Sequence, residues 1–258
     1  MHSSERESEI LRLLNQRGFV SFRQLCSELA ASTATIRRDL SRLEADGRIA
    51  RVRGGARMKV KAAAPAEWLA GTPFEDNLSR NVAQKSAIGR AAAALCLPGE
   101  SIIIDGGTTT LHMCAHLDGL GLQVLTNSLY VVAELLRQPT TRVSVPSGTI
   151  FREQSIILSP FDDDGLARCH ASKLFIGAAA VSERGLMQAD VVLIQAEQKL
   201  MDRADKLIVL VDSTKFRASA SFVVCRVDRI NTVVTDAGAS SEEVAMLRGR
   251  GVEVLIAE

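Results

Sequence analysis

Apolar positions recur at helical spacing three times near the start of the chain. Ile10, Leu13 and Leu14 form one stripe, and Gly18 just beyond Arg17 is a natural helix stop. Leu25 and Leu29 form a second stripe behind Ser21, a candidate N-cap. Ile36, Leu40 and Leu43 form a third behind Ser32, spaced i, i+4, i+7. The period then changes. Arg48-Ile-Ala-Arg-Val-Arg53 alternates charged and apolar residues, as a strand with one wet face does. Gly54-Gly55 closes a turn and Ala56-Arg57 starts the return strand. Three helices and a hairpin predict a winged helix-turn-helix over residues 1–58.

Residues 59–77 keep neither period. They hold Lys59, Lys61, Pro65, Gly71, Pro73 and the single tryptophan, Trp68, and read as a linker. From residue 78 to 258 short apolar runs alternate with helical stripes. A helix on Val82, Ile88, Ala92 and Leu95 ends at Pro98-Gly99. Strands are expected at 101–105, 123–126, 142–146, 173–176, 206–212, 230–235 and 252–256, with helices between most of them. That alternation predicts a Rossmann-like, doubly wound parallel sheet, so the fold class is α/β with a small helical DNA-binding head.

Composition agrees with a globular chain: 258 residues, 47% hydrophobic and 24% charged. The five cysteines are scattered and form no CxxC, which predicts reduced thiols in a cytoplasmic protein. The polar start predicts no secretory leader, and no apolar run approaches the roughly 18 residues of a membrane span. The net charge of +1 conceals an asymmetry. Residues 1–61 carry 13 Lys+Arg against 7 Asp+Glu, leaving 18 against 23 for the rest. A basic head on a mildly acidic body directs only the head to a polyanion.

With its apolar stripe inward, the third helix turns Thr33, Thr35, Arg37, Arg38, Ser41 and Arg42 to its flanks and outer face. Arg37 and Arg38 stand about 100° apart, so one can serve base edges and the other phosphates. Ser32 and the threonines suit phosphate oxygens near the helix start. Arg51, Arg53 and Arg57 on the hairpin would reach a flanking phosphate or the minor groove. The competing reading is that Arg37 and Arg38 merely pair with Asp39, Glu44 or Asp46. Duplex DNA is the expected partner.

In the larger part, three strand ends carry chemistry. Asp105-Gly-Gly-Thr-Thr-Thr110 is a glycine turn followed by hydroxyls opening a helix, able to cradle a phosphate. It is neither a Walker A loop nor GxGxxG, which disfavours a nucleotide. Leu125-Thr-Asn-Ser128 repeats the logic, and Asp212-Ser-Thr-Lys-Phe216 adds a carboxylate, hydroxyls and an ammonium. Turn formation and helix capping would explain any one of them. Three on one sheet edge favour a ligand. His112 and His116 have metal-compatible i, i+4 spacing, but no third ligand can be placed, so no metal is expected.

Thr35-Ile-Arg-Arg-Asp-Leu40 and Arg53-Gly-Gly-Ala56 resemble the DNA-binding domain of DeoR-family bacterial transcriptional regulators. Gly106-Gly-Thr-Thr-Thr110, Thr126-Asn127, Glu197 with Lys199, and Asp212-Ser-Thr-Lys-Phe216 resemble that family's effector domain. The resemblance spans nearly the whole chain. It implies an effector domain related in fold to sugar-phosphate isomerases, and a phosphorylated sugar or sugar derivative as effector. Asp105, Gly106, Gly107, Thr108, Thr109, Thr110, Thr126, Asn127, Gly148, Arg152, Glu197, Lys199, Asp212 and Lys215 are the implied contacts. No catalytic residues and no cofactor are implied. Operator symmetry calls for a homo-oligomer, a dimer or tetramer.

The chain also departs from the family. Gly177-Ala-Ala-Ala180 stands where many members have Gly-Ala-Asp-Gly, and Ser147-Gly148 replaces a glycine pair. Ser155–Pro160 and Gly185–Lys199 look closer to the branch that senses ascorbate-type sugar-acid phosphates. A missing carboxylate suits an anionic ligand, with Arg152 or Lys173 to supply positive charge. The expected function is a repressor of a carbohydrate catabolic operon. The alternative is a sugar-phosphate isomerase or deaminase with a DNA-binding head, in which Asp105, Glu197 and Lys215 would do acid–base work.

Overall fold

The computed structural model describes residues 3–17, 19–29, 31–45, 49–52, 55–58, 74–159 and 168–258. Gly18, Gly47, Arg53, Gly54 and most of the expected linker, including Trp68, lie outside them, as do the side chains of Arg51 and Arg57. The chain divides into two compact units, Met1–Trp68 and Leu69–Glu258.

The first unit contains α1 (Ser3–Arg17), β1 (Phe19–Ser21), α2 (Phe22–Glu28), α3 (Thr33–Ala45), β2 (Ile49–Val52) and β3 (Gly55–Met58). The helical stripes meet as expected: Ile10, Leu14, Leu25, Ile36, Leu40, Leu43 and Ile49 are completely buried in one cluster. Ser21 caps α2 in a reciprocal box with Gln24. The wing has a third strand, β1, which pairs antiparallel with β3 on the side away from β2.

The second unit opens with α4 (Phe74–Leu78) and α5 (Val82–Ala93), then β4 (Ser101–Ile104), α6 (Thr108–Cys114), β5 (Gln123–Thr126), α7 (Leu129–Leu135) and β6 (Arg142–Ser144). A hairpin, β7 (Thr149–Phe151) and β8 (Ile156–Leu158), follows. Then come β9 (Ala171–Ile176), β10 (Ala180–Ser182), β11 (Gly185–Gln188), α8 (Val191–Met201), β12 (Ala204–Leu210), β13 (Phe222–Cys225), β14 (Thr232–Asp236), α9 (Ser241–Arg248) and β15 (Glu253–Ala257).

The main sheet runs β15-β14-β12-β9-β4-β5-β6, and every pairing in it is parallel. Its centre is apolar on both faces: Ile103, Leu174 and Val209 enter one cluster, Ile102, Ile104 and Phe175 the other. Strand order reverses between β4 and β9, since β4 leads outward to β5 and β6 before the chain returns to β9. In such sheets ligands bind at that switch point, outside the carboxyl ends of the strands. A separate antiparallel sheet, β10-β11-β13, was not predicted. Its short strands carry too little alternation to announce themselves.

Two local details shape the carboxyl edge. A Cβ on Gly89 would stand 2.6 Å from the carbonyl carbon of His112, so only glycine lets α5 approach α6 this closely. Ser128, completely buried, caps α7 by accepting from the Val131 N–H at 3.3 Å. Ser128→Ala should cost about 1 kcal/mol of stability, the usual worth of a helix cap. Thermal unfolding would measure it, and an unchanged midpoint would mean the cap is redundant.

Candidate functional site

In the first unit the chemistry converges on α3. Ser32 caps it, its Oγ accepting from the Thr35 N–H at 3.2 Å and lying 2.8 Å from the Thr35 hydroxyl. Asp39 is buried and taken by Arg6, whose Nε and second guanidinium nitrogen reach its two oxygens at 2.5 and 3.1 Å. Asp39 is therefore not the partner of Arg37 or Arg38, and both arginines are exposed. The Arg37 guanidinium lies 5.9 Å from the centroid of the Phe22 ring, a cation–π contact that steadies it on α2. Arg42 pairs with Glu7 at 2.8 Å, and the Ser41 hydroxyl donates to the Arg37 carbonyl at 2.9 Å. Thr33 is exposed. Arg53 and the Arg51 side chain lie outside the described residues.

In the second unit the β4 loop stands at the switch point. A Cβ on Gly107 would come within 3.9 Å of the Gly177 Cα, which puts this loop beside the end of β9. Gly107 caps α6 without any side-chain hydrogen bond. The N–H groups of Thr108, Thr109 and Thr110 fall in the first turn, where no intrahelical acceptor exists. Ser128, Asp190, Asp212 and Ser240 close other helix starts of this unit through side-chain bonds, whereas Asn81, ahead of α5, makes no such bond.

Other expected contacts turn out to build this loop. Asn127 Nδ2 donates to Asp105 Oδ1 at 2.8 Å, and Asn127 Oδ1 accepts from the Gly106 N–H at 2.9 Å. The completely buried Thr110 hydroxyl lies 2.8 Å from the carbonyls of both Asp105 and Gly107. Thr126 Oγ1 accepts from the Ser128 N–H at 3.1 Å. The β7–β8 hairpin closes the flank: Ile157 N–H donates to the Asn127 carbonyl at 2.7 Å, and a Cβ on Gly106 would meet Ile156 Cγ2 at 2.3 Å. Gly148 and Arg152 belong to that hairpin region. A Cβ on Gly148 would fall 2.2 Å from the Leu158 carbonyl oxygen, and Arg152 is exposed at the turn.

Two carboxyls face each other electrostatically at depth. Asp105 is buried, and burial pushes its pKa up to about 6 against the pull of its Asn127 and Gly106 hydrogen bonds. Glu197 of α8 is pushed well above the ordinary range by burial first and by the Asp105 charge second. Its Oε1 accepts from Gln188 Nε2 at 2.6 Å, while its Oε2 is buried with no hydrogen-bond partner. Lys199, two residues on, donates to the Ser159 carbonyl at 3.3 Å.

The strand-end residues Asp212 to Lys215 are less available than their composition suggests. Asp212 Oδ1 accepts from Asn81 Nδ2 at 3.1 Å, from the Thr214 N–H at 3.1 Å and from the Thr214 hydroxyl. Ser213 is bonded to Asp236 through both its N–H and its hydroxyl. Lys215 keeps its ammonium in electrostatic reach of Lys85. Lys173, one suggested source of positive charge, is paired with Glu100, the residue that precedes β4. That places it toward the amino end of the sheet, away from the switch point, and it is withdrawn as a contact.

Sequence reasoning missed Lys85. It is 3% exposed, and burial lowers its pKa against the attraction of Asp212, with Lys215 and Arg80 adding repulsion. The available signal was its position, since Lys85 falls on the buried stripe of Ile88 and Ala92 at i+3 and i+7. A charge on an apolar stripe needs a reason.

Residues 6–61 match the DeoR-like helix-turn-helix domain family, and residues 80–237 match the DeoR C terminal sensor domain family. The chain is 32% identical over 256 residues to the HTH-type transcriptional regulator UlaR of Shigella dysenteriae serotype 1 (strain Sd197), covering 99% of each protein. The same figures hold for the UlaR of Escherichia coli (strain K12 / DH10B). Among solved structures, ribose 5-phosphate isomerase A of Methanocaldococcus jannaschii is similar over 52% of this chain and 54% of that one, at 17% identity and a TM-score of 0.39.

Proposed function

The chain belongs to the DeoR family of DNA-binding transcriptional regulators, and from that premise we propose how its two units divide the work. Residues 1–58 bind an operator, residues 59–77 link, and residues 78–258 sense a phosphorylated sugar acid whose arrival changes operator affinity. The protein acts in the cytoplasm as a homo-oligomeric repressor of a carbohydrate operon.

One observation carries the effector reading. The β4 loop stands at the switch point of a parallel sheet, with first-turn N–H groups that no side chain caps and threonine hydroxyls beside them. Oriented N–H groups of this kind favour an oxyanion. Lys85 stands within electrostatic reach of the Lys215 ammonium and the Arg80 guanidinium, with the Asp212 carboxylate opposing them. The run Gly177–Ala180 adds no acid beside the loop, which favours a ligand carrying a carboxylate as well as a phosphate.

A thermal-shift panel of phosphorylated sugars and sugar acids, each paired with its unphosphorylated parent, tests this. A ligand at about 100 times its Kd should stabilise the protein by roughly 2.7 kcal/mol. A shift that requires the phosphate supports the cradle. Equal shifts from the parents, or none across the panel, would remove it. Incubation with each hit is expected to leave the sugar unchanged; turnover would favour the isomerase reading of Asp105 and Glu197.

A further inference from the structure

Lys85 has an unusual set of neighbours for a buried cation. Its one recorded hydrogen bond among the described residues runs from Nζ to the Asn77 carbonyl at 2.5 Å. Asp212, the carboxylate in its electrostatic reach, already accepts three hydrogen bonds on one oxygen. Lys215 and Arg80 repel it, and its charge adds to burial, the larger cause, in lowering the pKa of the half-buried His112. An ammonium in such a place gains from an incoming anion far more than from a neutral carbonyl.

Asn77 belongs to α4, the first described element of the second unit, which takes up the end of the expected linker. Besides Lys85, α4 is held by Phe74, which stacks on Tyr130 with ring centroids 4.5 Å apart and donates its N–H to the Glu153 carbonyl at 3.1 Å. Tyr130 also donates to Glu75 at 3.3 Å. These contacts secure the amino end of α4. At the carboxyl end the Asn77 carbonyl accepts from Lys85 and from the Arg80 N–H at 3.3 Å, and just beyond it Asn81, in the left-handed region at φ 51°, is bonded to Asp212.

We propose that Lys85 exchanges partners: its ammonium holds the Asn77 carbonyl when the site is empty and turns to the effector's anionic group when it is filled. The exchange removes one of the contacts that hold the carboxyl end of α4 and leaves it with the weaker Arg80 N–H bond, so occupancy is reported to the segment through which the chain enters the sensing unit. This rests on the anionic-effector reading. It adds the residue that couples binding to the rest of the molecule, and allosteric coupling needs a group with different contacts in the two states.

The test uses the full-length protein, inorganic phosphate as the probe, and hydrogen exchange over residues 74–81 as the readout. In wild type, saturating phosphate should speed exchange at 74–81 while slowing it at 105–111. Lys85→Met, measured without phosphate, should already exchange fast at 74–81 and should bind phosphate at least tenfold more weakly. Lys85→Gln keeps a donor for the Asn77 carbonyl without the charge. It should retain protection at 74–81 yet bind phosphate weakly, and it replaces the methionine variant if that one unfolds. Equal phosphate affinity in wild type and both variants would overturn the role of Lys85 and leave the phosphate cradle standing. Weakened affinity with unchanged exchange at 74–81 would overturn the coupling. Absence of phosphate binding in wild type would overturn both readings.

Discussion

Arg38→Ala is expected to weaken operator binding by about 1–3 kcal/mol, some 5- to 150-fold, if the guanidinium is bidentate to a guanine edge. Asp39, the acid beside it in sequence, is committed to Arg6, so the Arg38 guanidinium is left exposed on α3. Specificity at one base position should relax together with the loss. Arg37→Ala separates the roles. Arg37 rests over Phe22, which reduces the freedom it must give up on binding and suits a fixed contact. A variant that loses affinity equally for all sequences, with a salt slope lower by about one, has lost a phosphate contact. Binding titrations on operator and random duplexes at several salt concentrations give both quantities. Full affinity in both variants would remove α3 as the reading helix.

The second large effect is in stability against pH. Asp105 has a folded pKa of about 6 against an ordinary 3.8. A carboxyl whose pKa rises on folding binds its proton more tightly in the folded state. Its stabilising contribution is therefore complete below about pH 4 and is lost as pH rises through about 6. The cost of keeping it ionised above that window is about 3 kcal/mol. Glu197 acts in the same direction, raised by its burial first and by the Asp105 charge second. Asp105→Asn keeps an acceptor for Asn127 while removing the buried charge. The variant should match wild type near pH 4 and exceed it at pH 8, by about 2–4 °C in Tm for each kcal/mol. Effector response should be lost at the same time if Asp105 serves the proposed effector site, because a destabilising buried charge there fits function traded against stability. A variant less stable than wild type at pH 8 would mean that the Asp105 charge is compensated in the fold.

The helices of the first unit and the parallel sheet of the second were legible because their signals are local. A stripe such as Ile36, Leu40 and Leu43 is set by the 3.6-residue period, and alternating strand and helix admits few topologies. The motif residues around Gly106, Asn127 and Asp212 were legible as a group, but not their division of labour. Asn127 and Thr110 hold the loop together, and Asp212 anchors Asn81 and Thr214. Composition offers donors and acceptors without saying which are already satisfied. Lys173 shows the same limit, since its pairing with Glu100 joins residues distant in the chain.

The sequence alone determined the family, the two kinds of unit, the apolar stripe of α3 and the glycine turn at a strand end. The family follows from the resemblance of its motifs, and the others from spacing within a few turns of chain. Tertiary structure alone decided that Asp39 belongs to Arg6, that burial and then the Asp105 charge raise the pKa of Glu197, and that Lys85 is buried within electrostatic reach of Asp212 and Lys215. Those are statements about burial and long-range charge, and both depend on which distant segments the fold packs together.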